Sequence, residues 1–226
     1  MPARSIKKIS EVIFYPFFEQ YSKELKKEIV GSCETLLDVG CGANSPIRTF
    51  SKDLRYTVGV DAHGLSLKSS RTAGIHSEYQ LMDVLRIGER FEKKSFDCVL
   101  LSDLIEHLSK ADALKLITSS EAIAKKKIII FTPNGFLPQD EYDGNLHQVH
   151  LSGWTVREMR GLGYAVSGLN GWKPLRTKNA RIAWKPEFLW GKISLLTQPL
   201  VIFHPEKAFH LFCVKDVSQN KAKNDG

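Results

Sequence analysis

The sequence predicts an α/β fold in which a doubly wound, mostly parallel sheet is covered by helices. Short segments rich in β-branched residues recur at intervals of roughly 20 to 30 residues, and the stretches between them carry apolar residues at helical spacing. The predicted strands are 36–39, 56–61, 79–84, 95–103, 127–132, 164–168 and 207–215. The first three of them end in or just after an acidic residue, which places carboxylates along one edge of the sheet.

The turn after the first strand is the clearest ligand-binding feature. The apolar run Leu36–Val39 leads into Gly40, Cys41 and Gly42, and Pro46 then suits the first turn of a helix. Glycine permits backbone conformations, and a close approach of a ligand, that a Cβ atom would obstruct. Unpaired N–H groups at a helix start face the crevice at the carboxyl edge of such a sheet. The stretch therefore predicts a nucleotide pocket.

Acidic residues narrow the choice of nucleotide. Asp61 ends the second strand, where a carboxylate can accept hydrogen bonds from both hydroxyls of an adenosine ribose. A nicotinamide dehydrogenase is disfavoured, because Ser45 stands where its fingerprint needs a third glycine or alanine. Asp38, two residues before the first glycine, can meet a cationic amino group but gains nothing from a pyrophosphate.

Composition and charge limit the classes of protein to which the chain can belong. The chain has 226 residues, of which 42% are hydrophobic and 25% charged, as in ordinary globular domains. The formal net charge of +7 is spread along the chain, which favours a basic solvated surface over a nucleic-acid site or a contact with an anionic membrane surface. Four scattered cysteines without a C-x-x-C pair predict reduced thiols, and no export signal is recognisable, so we expect a cytoplasmic protein.

The domain organisation follows from these patterns. We predict an N-terminal helical lid over 1–30, a core domain over 31–216 and a disordered tail over 217–226. Apolar residues between positions 5 and 29 suit helices packed on the sheet, and the aromatic residues from Phe14 to Tyr21 suit a lid over the pocket. The two interpretations are compatible.

The segment 171–205 is unusually apolar and aromatic. It is too interrupted and too short to span a bilayer, and the first expectation is an additional helical layer packed on the sheet. Two alternatives are an apolar wall for a substrate and an interfacial membrane contact, in which basic side chains meet lipid phosphates. Those basic residues are Arg176, Lys178, Arg181, Lys185 and Lys192.

Taken together, Leu36–Gly42, Asp61 and Asp83 resemble the motifs of class I S-adenosylmethionine-dependent methyltransferases, specifically the small-molecule, type 11-like group. The resemblance runs from about Thr35 to Val214. It implies a Rossmann-like methyltransferase fold with seven strands, the last one antiparallel and inserted beside the fifth. It also implies S-adenosyl-L-methionine as the cofactor and methyl transfer by direct displacement.

The resemblance also implies which residues contact the cofactor. These are Asp38, Gly40, Cys41 and Gly42 around the methionine half, Asp61 at the ribose with Ala62 beside the adenine, Asp83 and Val84 at the adenine amino group, and Ser102 to Leu104 on the sulfonium side.

Catalytic candidates follow from the chemistry of methyl transfer. A base is needed only if the acceptor is protonated at neutral pH, and His107 and His147 are the candidates, with His150 in the same long loop as His147. A hydrogen-bonded structural histidine on a helix flank is the alternative for His107. Some relatives, including the ubiquinone-pathway O-methyltransferases, have an acid-x-x-Glu-His cluster linked to a divalent metal. Asp103, Glu106 and His107 would match it, but Glu-His-Leu is common without a metal, so none is assigned.

The acceptor is only broadly constrained. No Asn-Pro-Pro-Tyr follows the fourth strand, and no added RNA-binding module is evident. We therefore expect a small-molecule, lipid-linked or glycan acceptor, no nucleic-acid partner, and a peripheral membrane contact as one option. The oligomeric state is not indicated by the sequence. The alternative function is a non-catalytic S-adenosylmethionine-binding partner or regulatory module.

Overall fold

A seven-stranded sheet forms the centre of the molecule. The computed structural model describes residues 20–139, 148–177 and 180–218. The strands are β1 Thr35–Val39, β2 Tyr56–Asp61, β3 Glu78–Leu81, β4 Phe96–Ser102, β5 Ala124–Pro133, β6 Ala165–Trp172 and β7 Ala208–Asp216. The helices are α1 over 20–29 in its described part, α2 Gly64–Thr72, α3 Ile87–Arg90, α4 Lys110–Ile123, α5 Val156–Gly161, α6 Glu187–Leu196 and α7 Gln198–Phe203.

The strand order is β3-β2-β1-β4-β5-β7-β6. Strands β1 to β5 pair in parallel, whereas β7 pairs antiparallel with both β5 and β6. The predicted fold class, including the antiparallel last strand beside the fifth, is confirmed. Because β1, β2 and β4 are neighbours in parallel, their carboxyl ends lie side by side and bring the predicted site residues to one edge.

Alternating residues of the central strands supply two cores. In β4, Val99 and Leu101 point to one face, while Cys98 and Leu100 point to the other. The first face packs against α4 and α5. The second packs against α1, which buries Tyr21, Leu25 and Ile29. The continuous apolar runs noted in the sequence are what a sheet covered on both faces requires.

Two local boundaries differ from the prediction. β3 ends at Leu81, so Asp83 lies beyond the strand, where its Oδ1 accepts the Leu85 N–H and caps a 3₁₀ turn. The helix expected from Pro46 is only the 3₁₀ turn Pro46–Thr49. Ile47 and Phe50, three residues apart, are both buried there, which suits a turn of three residues better than one of 3.6.

The predicted additional helical layer corresponds to α6 and α7. β6 continues to Trp172, so the insertion begins two residues later than predicted. Gly168 lies against α7, because a Cβ atom placed on it would be 2.2 Å from the Val201 carbonyl oxygen. No helix in the described ranges is long and apolar enough to cross a membrane. The predicted lid aromatics before Tyr21, and the predicted tail from residue 219 on, lie outside the described residues.

Candidate cofactor and acceptor site

The turn after β1 is held open by backbone geometry that needs glycine. Gly40 and Gly42 have φ angles of 71° and 59°, in the left-handed region. The N–H groups of Gly40 and Cys41 both donate to the Val60 carbonyl, at 2.8 and 3.0 Å. A Cβ atom on Gly40 would lie 2.7 Å from Leu104 Cδ1, whereas one on Gly42 would meet nothing within 4 Å. The turn is therefore tied to β2 and packed beneath Leu104, with open space at Gly42.

Asp61 connects this turn to the start of α2. Its Oδ2 accepts the Gly42 N–H at 2.8 Å, and its Oδ1 accepts the His63 N–H at 2.7 Å. The carboxylate is only half-buried. Each oxygen keeps a further lone pair, because a carboxylate has about four acceptor sites. Asp61 is thus a fixed acceptor at the mouth of the turn, with exposed Ala62 beside it.

Apolar surface lies next to Asp61. Leu81 pairs with Asp61 in the sheet and is 63% exposed, and Leu65 in the first turn of α2 is 70% exposed. The adjacent Val84 is buried. Two exposed leucines beside a fixed carboxylate suit a ligand with one flat apolar part and one hydroxylated part.

Asp38 lies below the turn in a buried polar cluster. Its Oδ2 accepts a hydrogen bond from Ser45 Oγ at 2.5 Å and lies 2.8 Å from His76 Nε2. The His76 side chain is fully buried, and it fits because residue 59 is a glycine, whose Cβ would lie 2.8 Å from His76 Nδ1. Asp38 Oδ1 is buried without a hydrogen-bond partner among the described residues. Sequence reasoning missed His76, for which no local pattern gives a signal.

Tyr21 positions the end of β4. Its hydroxyl donates to Ser102 Oγ at 2.9 Å, and its ring stacks on Phe131 with centroids 3.8 Å apart. Burial raises the pKa of Tyr21 well above its ordinary value, so the hydroxyl stays protonated. Beyond Ser102, Asp103 has a φ of 46°, which is uncommon for a residue other than glycine and turns the chain sharply toward Leu104.

Glu106, His107 and His150 converge beside this turn. One ligand atom of each lies within 4.8 Å of the others, and the two imidazole rings are 4.7 Å apart. His107 Nδ1 faces the Val149 carbonyl at 3.2 Å, and His150 Nδ1 faces the Leu137 carbonyl at 2.7 Å. Each ring is therefore oriented by a backbone carbonyl that is distant from it in the sequence. Burial lowers the pKa of His150, so its ring is neutral near pH 7.

Glu106 is the buried member of this group. Its Oε2 accepts a hydrogen bond from Thr132 Oγ1 at 2.9 Å. Burial, followed by the nearby Asp103 carboxylate, raises the pKa of Glu106 well above its usual range. One carboxylate and two imidazoles are donors that suit a divalent transition metal. The group differs from the trio that the resemblance implied, because His150 joins it and Asp103 does not. The candidate base His147 lies outside the described residues.

Comparison with known proteins identifies the domain. A family model described as a methyltransferase domain matches residues 37–127, from β1 into β5. Residues 37–127 carry a methyltransferase domain. The sequence-based assignment to the S-adenosylmethionine-dependent methyltransferases is confirmed by this match together with the strand order. The matched residues include the glycine turn, Asp61 and Glu106, but not His150 or the segment that forms α6 and α7 of the methyltransferase.

Solved structures agree with the fold of the methyltransferase. A SAM-dependent methyltransferase from Archaeoglobus fulgidus is 17% identical with a TM-score of 0.58, covering 93% of this chain and 99% of its own. Phosphoethanolamine N-methyltransferase 2 from Haemonchus contortus, in complex with S-adenosyl-L-methionine, is 19% identical with a TM-score of 0.56. The alignment covers 90% of this chain and 55% of the Haemonchus chain.

Magnesium protoporphyrin IX methyltransferase from Synechocystis PCC 6803 with bound SAH is 10% identical with a TM-score of 0.55. The alignment covers 93% of this chain and 86% of the Synechocystis chain. At these identities the likeness is one of fold. No curated protein sequence matches the chain.

Proposed function

We propose that the methyltransferase transfers a methyl group from S-adenosylmethionine to a small-molecule, lipid-linked or glycan acceptor. The observation that carries the proposal is the fixed carboxylate of Asp61, which closes the glycine turn through Gly42 and the start of α2 through His63. This arrangement leaves acceptor lone pairs at the mouth of an open turn, as a ribose diol requires. When bound, the cofactor supplies an activated methyl group on a sulfonium that leaves readily.

The other predicted cofactor residues fit this placement. Leu65 and Leu81 offer apolar surface to the adenine, with Asp83 exposed beyond the end of β3 to accept from its amino group. Asp38 supports the methionine half from below, where its buried Oδ1 is without a partner among the described residues. Cys41 is buried and its N–H is bonded to the Val60 carbonyl, so it contributes by holding the shape of the turn. Each of these assignments is a proposal.

His107 and His150 form the acceptor side of the site. Displacement of a methyl group depends above all on alignment, so the principal task of these residues is to hold the acceptor against the cofactor. A neutral His150 can also take the proton that an acceptor hydroxyl or ammonium loses during the transfer. Leu151, next to His150 in the sequence, is 62% exposed, and Phe136, next to the Leu137 whose carbonyl His150 faces, is 55% exposed, which favours an acceptor with an apolar portion.

Calorimetric titration with S-adenosylmethionine tests the cofactor site. Asp61→Asn keeps the size of the side chain but removes its charge and should weaken binding by about 10- to 100-fold, since hydrogen bonds to charged groups contribute roughly 1.5 to 3 kcal/mol. The matched control is Asp53→Asn, an exposed acid paired with Lys26 on the surface, which should bind as the wild type does.

Wild-type affinity in Asp61→Asn, or no binding to the wild-type protein, would contradict the proposed site. Incubating the wild type and Asp61→Asn with cell extract and labelled methyl donor then identifies the acceptor by mass. Labelling that is equal in the two proteins would also contradict the proposal.

A further inference from the structure

The segment formed by α6 and α7 turns its apolar side outward. Phe203, Leu196, Phe188 and Leu200 are 81%, 76%, 69% and 66% exposed. Together with Leu189 and Leu195, also exposed, they define what we call the outer stripe: Phe188, Leu189, Leu195, Leu196, Leu200 and Phe203. Monomeric globular proteins rarely leave so many large apolar side chains together in water, so a contiguous exposed group of this kind marks a binding surface.

Helical phase shows that the stripe is continuous. Thr197, between the two helices, has helical φ and ψ angles of −78° and −11°, so the phase of α6 carries into α7. At 3.6 residues per turn the six side chains fall within an arc of about 140°. The buried residues Ser194, Gln198 and Val201 occupy the opposite side. Two of these three are polar, which is the reverse of an ordinary surface helix.

The buried polar residues show that this orientation is built into the fold. Gln198 Nε2 donates to the Gly168 carbonyl at 2.9 Å, and its Oε1 accepts the Gly171 N–H at 3.1 Å. Thr197 Oγ1 accepts the Trp172 N–H at 2.9 Å. Because these bonds pin the polar side of the helices to β6, the apolar side cannot rotate inward without breaking them.

Basic side chains accompany the outer stripe. Lys192 lies at the centre of its arc on α6, and Arg181 and Lys185 precede the helix; all three are exposed. Among the described residues none of the three forms an ion pair, and Glu187 is the only acid between residues 180 and 204. Trp184, 56% exposed, lies beside them. Lysine can extend its stem along apolar surface while its charge reaches a more polar layer, and tryptophan favours the boundary between the two.

We propose that the outer stripe binds the surface of an anionic lipid bilayer, lying in the interface with Phe188, Leu196 and Phe203 among the acyl chains. A membrane offers acyl chains to the apolar side chains of the outer stripe. It also offers phosphates to Lys192, Lys185 and Arg181. A purely apolar protein partner would leave Lys192, at the centre of the stripe, without a counter-charge. The mode is attachment and not insertion, since neither helix is long enough to cross.

The stripe is mechanically connected to the edge of the sheet that carries the site. Lys173 Nζ donates to the Asn134 carbonyl at the end of β5. Asn134 Nδ2 in turn lies within hydrogen-bond distance, 2.9 to 3.1 Å, of the carbonyl oxygens of Pro205, Glu206 and Ala208 just beyond α7. Both ends of the insertion are thus fastened to the strand that leads to the acceptor side. Membrane attachment itself does not depend on the proposed acceptor.

Vesicle flotation with the full chain tests the proposal. We expect the protein to float with vesicles of phosphatidylcholine and phosphatidylglycerol, to float poorly with phosphatidylcholine alone, and to be released by added salt. Leu196→Ser combined with Phe203→Ser should lower the partition coefficient by about 100-fold or more, since two large apolar side chains would no longer be transferred from water to the acyl chains. Lys185→Gln combined with Lys192→Gln should lower it on anionic vesicles only.

Matched controls come from exposed residues elsewhere. Leu114→Ser on α4, and Lys68→Gln combined with Lys93→Gln, should float as the wild type does. Circular dichroism and thermal unfolding establish that each variant is folded. The proposal is overturned if the Leu196 and Phe203 variant floats like the wild type, if neutral and anionic vesicles bind equally at all salt concentrations, or if the wild type does not float. A dimer that this variant abolishes, with no flotation, would assign the stripe to a second copy of the chain instead.

Discussion

At the scale of single residues, Asp38 is the position where charge is most completely enclosed. The partners of its Oδ2 are Ser45 and His76, and all three side chains are withdrawn from water. Removing one hydrogen-bond partner leaves the buried carboxylate less well satisfied, which costs about 1 to 3 kcal/mol and more for a charged group. His76→Leu should therefore lower the free energy of unfolding by about 3 kcal/mol in urea titrations, whereas His76→Gln, which keeps a donor, should lose less.

The exposed His204 provides the comparison. His204→Leu should change the free energy of unfolding by less than about 0.5 kcal/mol. If His76→Leu costs no more than that, the contact with Asp38 contributes nothing to stability. Calorimetric titration of the same variants with S-adenosylmethionine distinguishes a variant that is unfolded from one that is folded but whose glycine turn no longer binds the cofactor.

His107 and His150 give a prediction about turnover. If they hold the acceptor and accept its proton, His150→Gln should lower kcat by about 100-fold, the usual minimum for general base catalysis, and His107→Gln should do likewise. The affinity for S-adenosylmethionine should stay the same, because the hydrogen bonds of the two rings to the Val149 and Leu137 carbonyls lie outside the glycine turn. Both rates should be measured against His204→Gln. An unchanged kcat would leave the pair with a structural role only.

At the scale of elements, the contact between β6 and α7 sets the orientation of the outer stripe. A methyl group on Gly168 would lie 2.2 Å from the Val201 carbonyl oxygen and 2.5 Å from Ala208 Cβ. Overpacking of this kind costs about 1 to 3 kcal/mol, so Gly168→Ala should lower the midpoint of urea unfolding accordingly. Gly161→Ala at the end of α5 is the control, because its Cβ would meet nothing within 4 Å. Equal midpoints for the two variants would mean that α7 is not closely packed on β6.

At the scale of the whole molecule, stability should depend on acidity through His210 in β7. The ring is buried between Phe131 and Phe209, and Asn170 Nδ2 lies 2.8 Å from its Nδ1. Burial, with a smaller contribution from Arg176, lowers the pKa of His210 to about 3. The unfolded chain binds a proton near pH 6.5 and the folded chain does not, so stability falls as the pH drops below 6.5 and continues to fall toward 3.

The size of this effect can be measured. Between pH 7 and pH 5 the single group should remove about 2 kcal/mol, at 1.36 kcal/mol for each unit below the unfolded pKa. His210→Asn keeps a hydrogen-bond acceptor but does not titrate. Urea unfolding of the variant at the two pH values should show a smaller loss than the wild type. Equal losses would mean that His210 is protonated in the folded state.

Sequence reasoning succeeded where the information is local. The apolar run at Phe96–Ser102 and the glycines at positions 40 and 42 report on their own strand and turn, so these elements could be predicted from the residues. The place of the last strand beside the fifth came from the family resemblance, because no local pattern encodes strand order. His76 meets Asp38, and His150 meets Glu106, only through the folding of distant segments, and no spacing encodes such pairs. For the segment 171–205 the first expectation was a buried helical layer, because apolar residues at helical spacing ordinarily predict burial, and an outward apolar face entered only through the alternative of a membrane contact.

The position of β7 has a consequence for how the chain folds. β7 is the latest strand in the sequence, yet it lies between β5 and β6, and Ile129 of β5 pairs with Val214 across a long intervening segment. Until residues 208–216 arrive, β5 and β6 are each left with an unpaired edge. Such edges bind other chains, and pairings between distant segments form slowly. The pairing of β7 with β5 and β6 should therefore be a late step of folding. Before that step the protein should be most prone to aggregation.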